Sequence, residues 1–337
     1  MVIKYGLMSS LTAEVKAILR SKPDPLGVRR STAAVMENAR FVTININQLK
    51  DFGTKIALNV KNNQLLTQAQ FGKLHNNPQK IFLLDTVNFC FWARKSKLRW
   101  AVAYPAADTI TQGWQALVAS FDRAIATSMP ILDSQFLARI SLKDTQRLFQ
   151  SHNQTQIPLL KQRQSFLQQA GQILNQDFAG DFNNLIKLAN HSAPQISRLI
   201  IKHFPCFNDT TVYRQKQVKF FKRAQICAYD LSLLSEIKIT HIDQLTFFAD
   251  YRLPQMLRTF GVLEYQPGLA EKVDHLQLII PDSQEELEIR ASTVWAGELL
   301  AYQLNLAPAQ IDNAIWFLAK QTQQPMKPHH QTLTTNY

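Results

Sequence analysis

The sequence predicts a mainly α-helical protein with a small β-sheet in its N-terminal third. Three observations carry this expectation. From Thr111 onward apolar residues recur three and four positions apart, beginning with Trp114, Leu117, Val118 and Phe121, the spacing that lines one face of a helix. Before that point apolar residues are consecutive or β-branched, as in Phe-Val-Thr-Ile-Asn-Ile at 41–46, which favours strand. A length of 337 residues, with 46% hydrophobic and 18% charged residues, describes a globular chain able to bury a large core.

Taken in order, residues 1–33 read as a peripheral segment: one amphipathic helix from Leu11 to Leu19, then the breaker cluster Ser-Lys-Pro-Asp-Pro-Leu-Gly at 21–27. Ser31 to Asn38 reads as a helix start, and 41–46 as the first strand. Ile81 to Trp92, apolar and aromatic with a single carboxylate, Asp85, and Leu98 to Tyr104 supply further strands. A carboxylate inside such an apolar strand must be paired or used. Helices follow over Leu159–Leu174, Phe182–Leu188 and Ile196–Phe204. Residues 270–280 fit helix or strand equally. Glu288–Leu304 and Ile311–Lys320 are helical, and the polar tail 321–337 has the pattern of a disordered end. No fixed repeat or low-complexity linker divides the chain, so 34–337 is expected to be a single compact domain.

The net charge is +12 and the sequence pI about 9.6, a balance that points to nucleic acid or another phosphorylated partner. Cys90, Cys206 and Cys227 have neither zinc nor redox spacing, and the histidines form no ligand pattern beyond the adjacent His329 and His330. No metal or cofactor is therefore expected. No apolar run reaches the roughly 20 residues of a membrane span, and the N-terminus is too weakly apolar for a signal peptide. The expected location is the cytoplasm, with no membrane partner.

The most informative stretch runs from Phe204 to Gln225 and is read together with Phe248 to Pro254. Between Arg214 and Arg223 five of ten residues are Lys or Arg and none is acidic, which means a solvated face or an anion site. On a helical projection Lys219, Arg223 and Asp230 fall on a solvated edge. Lys222 instead shares a face with Ile226, Tyr229 and Leu233, so either its stem packs with the head in water or its ammonium is inside, with a depressed pKa. Ile242 to Phe248 reads as a helix capped by Thr240 or Asp243. A second helix begins near Pro254 and ends near Gly261. Asp250 lies in the corner between them, where it either caps the second helix or presents its charge to a ligand.

Four strings in order, Asp-Thr-Val-Asn-Phe-Cys-Phe-Trp (85–92), Phe-Lys-Arg-Ala-Gln (221–225), Phe-Ala-Asp-Tyr-Arg-Leu-Pro-Gln (248–255) and Glu-Ile-Arg-Ala-Ser-Thr-Val-Trp (288–295), resemble the queuosine salvage proteins. The resemblance runs from about Val35 to Tyr337. It implies a fold related to the helix-hairpin-helix DNA glycosylases and an N-glycosidase that releases queuine from queuosine 5′-phosphate, a small-molecule substrate, with no stable nucleic-acid partner. Asp250 is then the catalytic carboxylate facing the ribosyl cation, with Lys222 as its cation. Asp85 and Asn88 read the guanine-like edge, and Phe89 and Trp92 stack on the base. Glu298 meets the secondary ammonium and diol of queuine. Arg252, Arg290 and His330 take the 5′-phosphate, and Tyr251 and Trp295 join the binding set from within the motifs. The sequence departs from the family pattern at Phe41, Phe317 and Leu333. A competing reading makes the basic 213–223 run a clamp for duplex DNA in a nucleic-acid-binding or base-excision protein.

Overall fold

Fifteen helices and six short strands make up the described residues, 12–61, 77–92, 98–322 and 325–337, of the computed structural model. The expected helix start at Leu11 lies outside them. In chain order come α1 (Ala13–Ser21), α2 (Val28–Met36), β1 (Val42–Ile44), α3 (Ile46–Lys61), α4 (Pro78–Thr86), β2 (Ala101–Ala103), β3 (Ile110–Gln112) and α5 (Gly113–Ala126). Next are α6 (Ser134–Leu137), α7 (Leu142–Leu148), α8 (Leu160–Asp177), α9 (Phe182–Leu188), α10 (Ala193–His203), β4 (Thr210–Tyr213), β5 (Lys216–Lys219) and α11 (Lys222–Ser232). The chain closes with α12 (Arg252–Thr259), β6 (Leu263–Tyr265), α13 (Pro267–Asp274), α14 (Gln284–Leu304) and α15 (Pro308–Gln321). Among the described residues no helix is long and apolar enough to cross a membrane.

The mainly helical class holds, and the N-terminal third keeps one small strand pair, β2 with β3, but the expected strands do not join into one sheet. The strands make three separate antiparallel pairs, and β1 pairs with β6 far along the chain, Thr43 opposite Glu264. The stretch 81–92, expected as strand, is instead α4 followed by an irregular turn. Asn77 caps that helix by accepting from Lys80 N at 3.1 Å, and Pro78 occupies its first turn. Every residue from Gln79 to Thr86 is buried, so the helix carries no amphipathic period and reads like a buried strand.

Two further expectations fail for identifiable reasons. Ile242–Phe248 forms only a 3₁₀ turn over Ile242–Gln244, because side chains take the amides a helix would need. Thr246 N donates to Gln225 Oε1 (2.8 Å), Phe247 N to Glu298 Oε1 (3.2 Å) and Phe248 N to Asp312 Oδ2 (3.1 Å). The described tail, residues 325–337, is ordered. Ile279 N donates to Gln331 O (2.8 Å), Gln255 Nε2 to Lys327 O (2.7 Å) and Cys90 N to Tyr337 O (2.9 Å). Its polar groups bond to other elements, a pairing no local pattern reveals.

Apolar side chains gather in two cores, one among α4, α5 and α8–α10, the other among α1–α3, α12, α14 and α15. The start of α11 joins them: Phe220 and Phe221 belong to the second core, Ala224 and Cys227 to the first. At the centre of the second core α14 is buried on all sides from Glu286 to Ala301. Gly297 lies against the Phe247 ring so closely that a Cβ there would overlap it.

Candidate active site

The basic run is not one helix. Its first half is the β4–β5 hairpin, turned by Arg214 and Gln215 at φ 46° and 66°, a left-handed pair typical of a two-residue turn. Its second half opens α11, and there Lys222 (4% exposed) and Arg223 (2%) are buried. Arg223 therefore does not lie on a solvated edge. It donates to the carbonyls of Asp85 (3.3 Å), Thr86 (2.6 Å) and Cys206. Arg163 of α8 donates to those of Val87, Phe89 and Cys90. Two guanidiniums thus satisfy the C-terminal carbonyls of α4 and the turn after it, fixing residues 85–92.

That turn sets the amide of Asn88. Its Nδ2 donates to Asp85 Oδ1 at 3.1 Å, so Oδ1 of Asn88 is the acceptor left for a ligand. Asp85 Oδ2 has no partner among the described residues. Burial raises the Asp85 pKa to about 7, against the opposing pull of Asn88, Lys222 and Arg223.

Lys222 Nζ reaches the carbonyl of Asn88 at 3.5 Å. Burial lowers its pKa, and Asp250, Asp85 and Asp312 oppose that. The head is inside, as the alternative reading of its helix face held. Asp250 caps α12: its Oδ1 accepts from Arg252 N and Leu253 N, both at 2.8 Å. Its Oδ2 has no hydrogen-bond partner among the described residues, and the residue lines the same cavity as Lys222. One oxygen is structural and the other is available.

The cavity measures about 320 Å³. Of the expected site residues, Asn88, Phe89, Trp92, Lys222, Asp250, Tyr251 and Arg252 line it together. Phe89 is spoken for: Arg163 and Arg223 lie 4.3 and 5.3 Å from its ring centre, and Phe166 meets it edge-on. Trp92 and Tyr251 instead flank His329, at 6.3 and 5.0 Å between ring centres. Unanticipated lining residues are Arg99, Trp114, Tyr229, Asp230, Phe248, Asp312, Asn313, Trp316, His329 and Tyr337. Among the described residues no cluster of three His, Cys, Asp or Glu is arranged to hold a metal ion.

The profile described as Queuosine salvage protein matches residues 72–337. The chain belongs to that family. A relative from Sphaerobacter thermophilus is 34% identical over 331 residues, 93% of this chain and 98% of its own. One from Mus musculus is 31% identical, covering 93% and 99% respectively, and one from Nematostella vectensis is 36% identical over 230 residues, 67% and 66%. Each is named Queuosine 5′-phosphate N-glycosylase/hydrolase.

In this member of the queuosine salvage family five expected residues lie outside the cavity lining, Asp85, which stands behind Asn88, and four more. Arg290 is fully buried, paired with Asp209 and lying over the Phe220 and Tyr337 rings at 3.8 and 4.7 Å. Glu298 is paired with Arg29 at 2.8 Å and accepts the Phe247 amide. Trp295 belongs to the second core. His330 bonds Tyr337 Oη through Nε2 at 3.1 Å, and burial lowers its pKa to about 3. Its neighbour His329 lines the cavity instead, lowered to about 4 by burial. The duplex-clamp reading loses its basis, since the basic run is part hairpin and part buried helix start.

Proposed function

We propose that this protein hydrolyses the N-glycosidic bond of queuosine 5′-phosphate, yielding queuine and ribose 5-phosphate, and so returns queuine for tRNA modification in the cytoplasm. The observation that carries the reading is Asp250, one oxygen pinned by two backbone amides and the other unpartnered among the described residues, sharing an aromatic cavity with the buried Lys222. A carboxylate so held gives its charge to a ribosyl cation without reorganising during the reaction. As the C1′–N bond breaks, its electron pair goes to the base, the oxygen of water bonds to C1′, and one proton of that water ends on the base.

A 7-deazaguanine has carbon at position 7, so the leaving base is stabilised through its other edges. Asn88 Oδ1, set by Asp85, accepts from the guanine-like edge. Trp92 and Tyr251 supply flat surfaces for the ring. Arg252, at the start of α12, and Arg99 in the same lining receive the 5′-phosphate. The relationship to the helix-hairpin-helix DNA glycosylases that the resemblance implies is part of this proposal. Incubation with queuosine 5′-phosphate, followed by chromatography, is expected to show free queuine. Intact nucleotide after prolonged incubation with folded protein would overturn the reading.

A further inference from the structure

The chain that leads from the Ile242–Gln244 turn to Asp250 is a buried strap. Leu245, Thr246, Phe247, Phe248 and Ala249 are all buried and belong to no helix or strand, so their backbone groups need partners from elsewhere in the fold. Side chains of four helices supply four of them. Gln225 of α11, wholly buried, accepts from Thr246 N at 2.8 Å through Oε1, and its Nε2 donates to Phe220 O and to Thr246 Oγ1, both at 2.9 Å. Since a carbonyl only accepts and a backbone N–H only donates, the orientation of this amide is fixed from both ends. Glu298 of α14 takes the Phe247 amide, and Asp312 of α15 that of Phe248. Arg29 of α2 donates Nη2 to Leu245 O at 2.9 Å, while its Nε holds Glu298 at 2.8 Å. Beside Glu298, Gly297 lets the Phe247 ring lie directly against α14.

We propose that Gln225, Glu298 and Arg29 are positioning residues that hold Asp250 in register with Lys222. This rests on the proposed hydrolase reading and adds what fixes its two charges relative to one another. Gln225 stands one helical turn after Lys222 on α11, so a single side chain ties the helix that carries the cation to the strap that carries the carboxylate. None of the three lines the cavity; they act through Asp250 and not on a ligand. Glu298 thereby has a task other than the base contact expected of it, and Gln225, the last residue of Phe-Lys-Arg-Ala-Gln, has one that no local pattern assigns. Arg29 lies in the 1–33 stretch read as peripheral, yet its guanidinium reaches the strap. A strap with no hydrogen-bond ladder of its own shifts when one of these side chains is lost, and a displacement of about 1 Å at a reacting group lowers a rate on the order of 10²-fold.

The test is steady-state kinetics on queuosine 5′-phosphate. Gln225→Leu and Arg29→Met are each expected to lower kcat on the order of 10²-fold with KM little changed, since the substrate contacts lie elsewhere. In an Asp250→Asn background neither is expected to lower kcat further, because the charge that they position is already gone. The same factor in both backgrounds would make these side chains general supports of the fold and overturn the proposal, as would a raised KM with kcat intact. A second measurement uses wild-type protein alone. Hydrogen exchange is expected to leave the amides of Thr246 and Phe247 protected as strongly as those within α14. Exchange there at the rate of an exposed loop would show the strap to be unclamped and overturn the proposal, even where neither variant folds. Because exchange needs no turnover, a folded protein that protects these amides and leaves the nucleotide intact sinks the hydrolase reading alone.

Discussion

Arg290 and Asp209 are joined by two parallel hydrogen bonds, Nη1 to Oδ1 at 2.9 Å and Nη2 to Oδ2 at 2.6 Å. The same Oδ2 accepts from the backbone amide of Lys222 at 3.4 Å. Arg290 therefore acts on the cavity through Asp209, which anchors the start of α11. Its guanidinium also stands 3.7 Å from Glu286. Removing one member of such a buried set leaves the others uncompensated, at a cost of about 3–5 kcal/mol. Arg290→Met is expected to lower the unfolding free energy by that amount while keeping the preference for the 5′-monophosphate over the nucleoside. Arg252→Met, at the cavity, is expected to erase the preference with little loss of stability. A collapsed preference in Arg290→Met, with stability intact, would make Arg290 a phosphate ligand after all.

What was legible in the sequence was whatever local periodicity or an intact string encodes. The inward face of Lys222 followed from its neighbours Ile226, Tyr229 and Leu233, and the corner position of Asp250 from Pro254 and Gly261. The α4 helix was misread because burial on every side removes the period that distinguishes helix from strand. Asp230 was misread in the opposite direction: it shares a stripe with Lys219, which a projection assigns to solvent, yet α4 and α15 supply neighbours there that only tertiary structure reveals. Asp312, Asn313 and the tail were missed for the same reason. Their partners are Phe248, Tyr229, Gln255 and Cys90, all distant in the chain.

Asp250→Asn separates the two jobs of this residue. Asparagine caps a helix as well as aspartate does, so the bonds to Arg252 N and Leu253 N survive and the melting temperature should change little. The charge facing the ribosyl cation is lost, and kcat is expected to fall by a factor on the order of 10³ or more. A variant with near wild-type turnover would remove Asp250 from the mechanism.

Phe89 and Trp92 are expected to part company. Phe89 is packed between two guanidiniums that hold residues 85–92, so Phe89→Ala should cost about 3–5 kcal/mol of stability. Trp92 lines the cavity with its indole N–H unpartnered among the described residues. If the base stacks there, Trp92→Ala raises KM by an amount matching roughly 1–3 kcal/mol. Denaturation curves and steady-state kinetics on both variants decide the matter, and the opposite pattern would exchange the two roles.

The last prediction concerns the pH dependence written into Asp85. Burial raises its folded-state pKa from 3.8 to about 7. Between those values the folded protein holds a proton that the unfolded chain has released, so this group's contribution is full below about pH 4 and is lost as pH rises through about 7. Other groups titrate in the same window, and the buried His330, lowered by its own burial, has the opposite slope. The informative quantity is therefore the difference between wild type and Asp85→Asn, from which the shared groups cancel. Asparagine keeps an acceptor for Asn88 Nδ2 and does not titrate. From pH 4 to pH 7 the difference is expected to move in favour of the variant by on the order of 2–4 kcal/mol, and to level off above that. Chemical denaturation of both proteins at four or five pH values measures it, and parallel stability curves would mean that Asp85 is ionised throughout, paired with Lys222 or Arg223 rather than held neutral beneath Asn88.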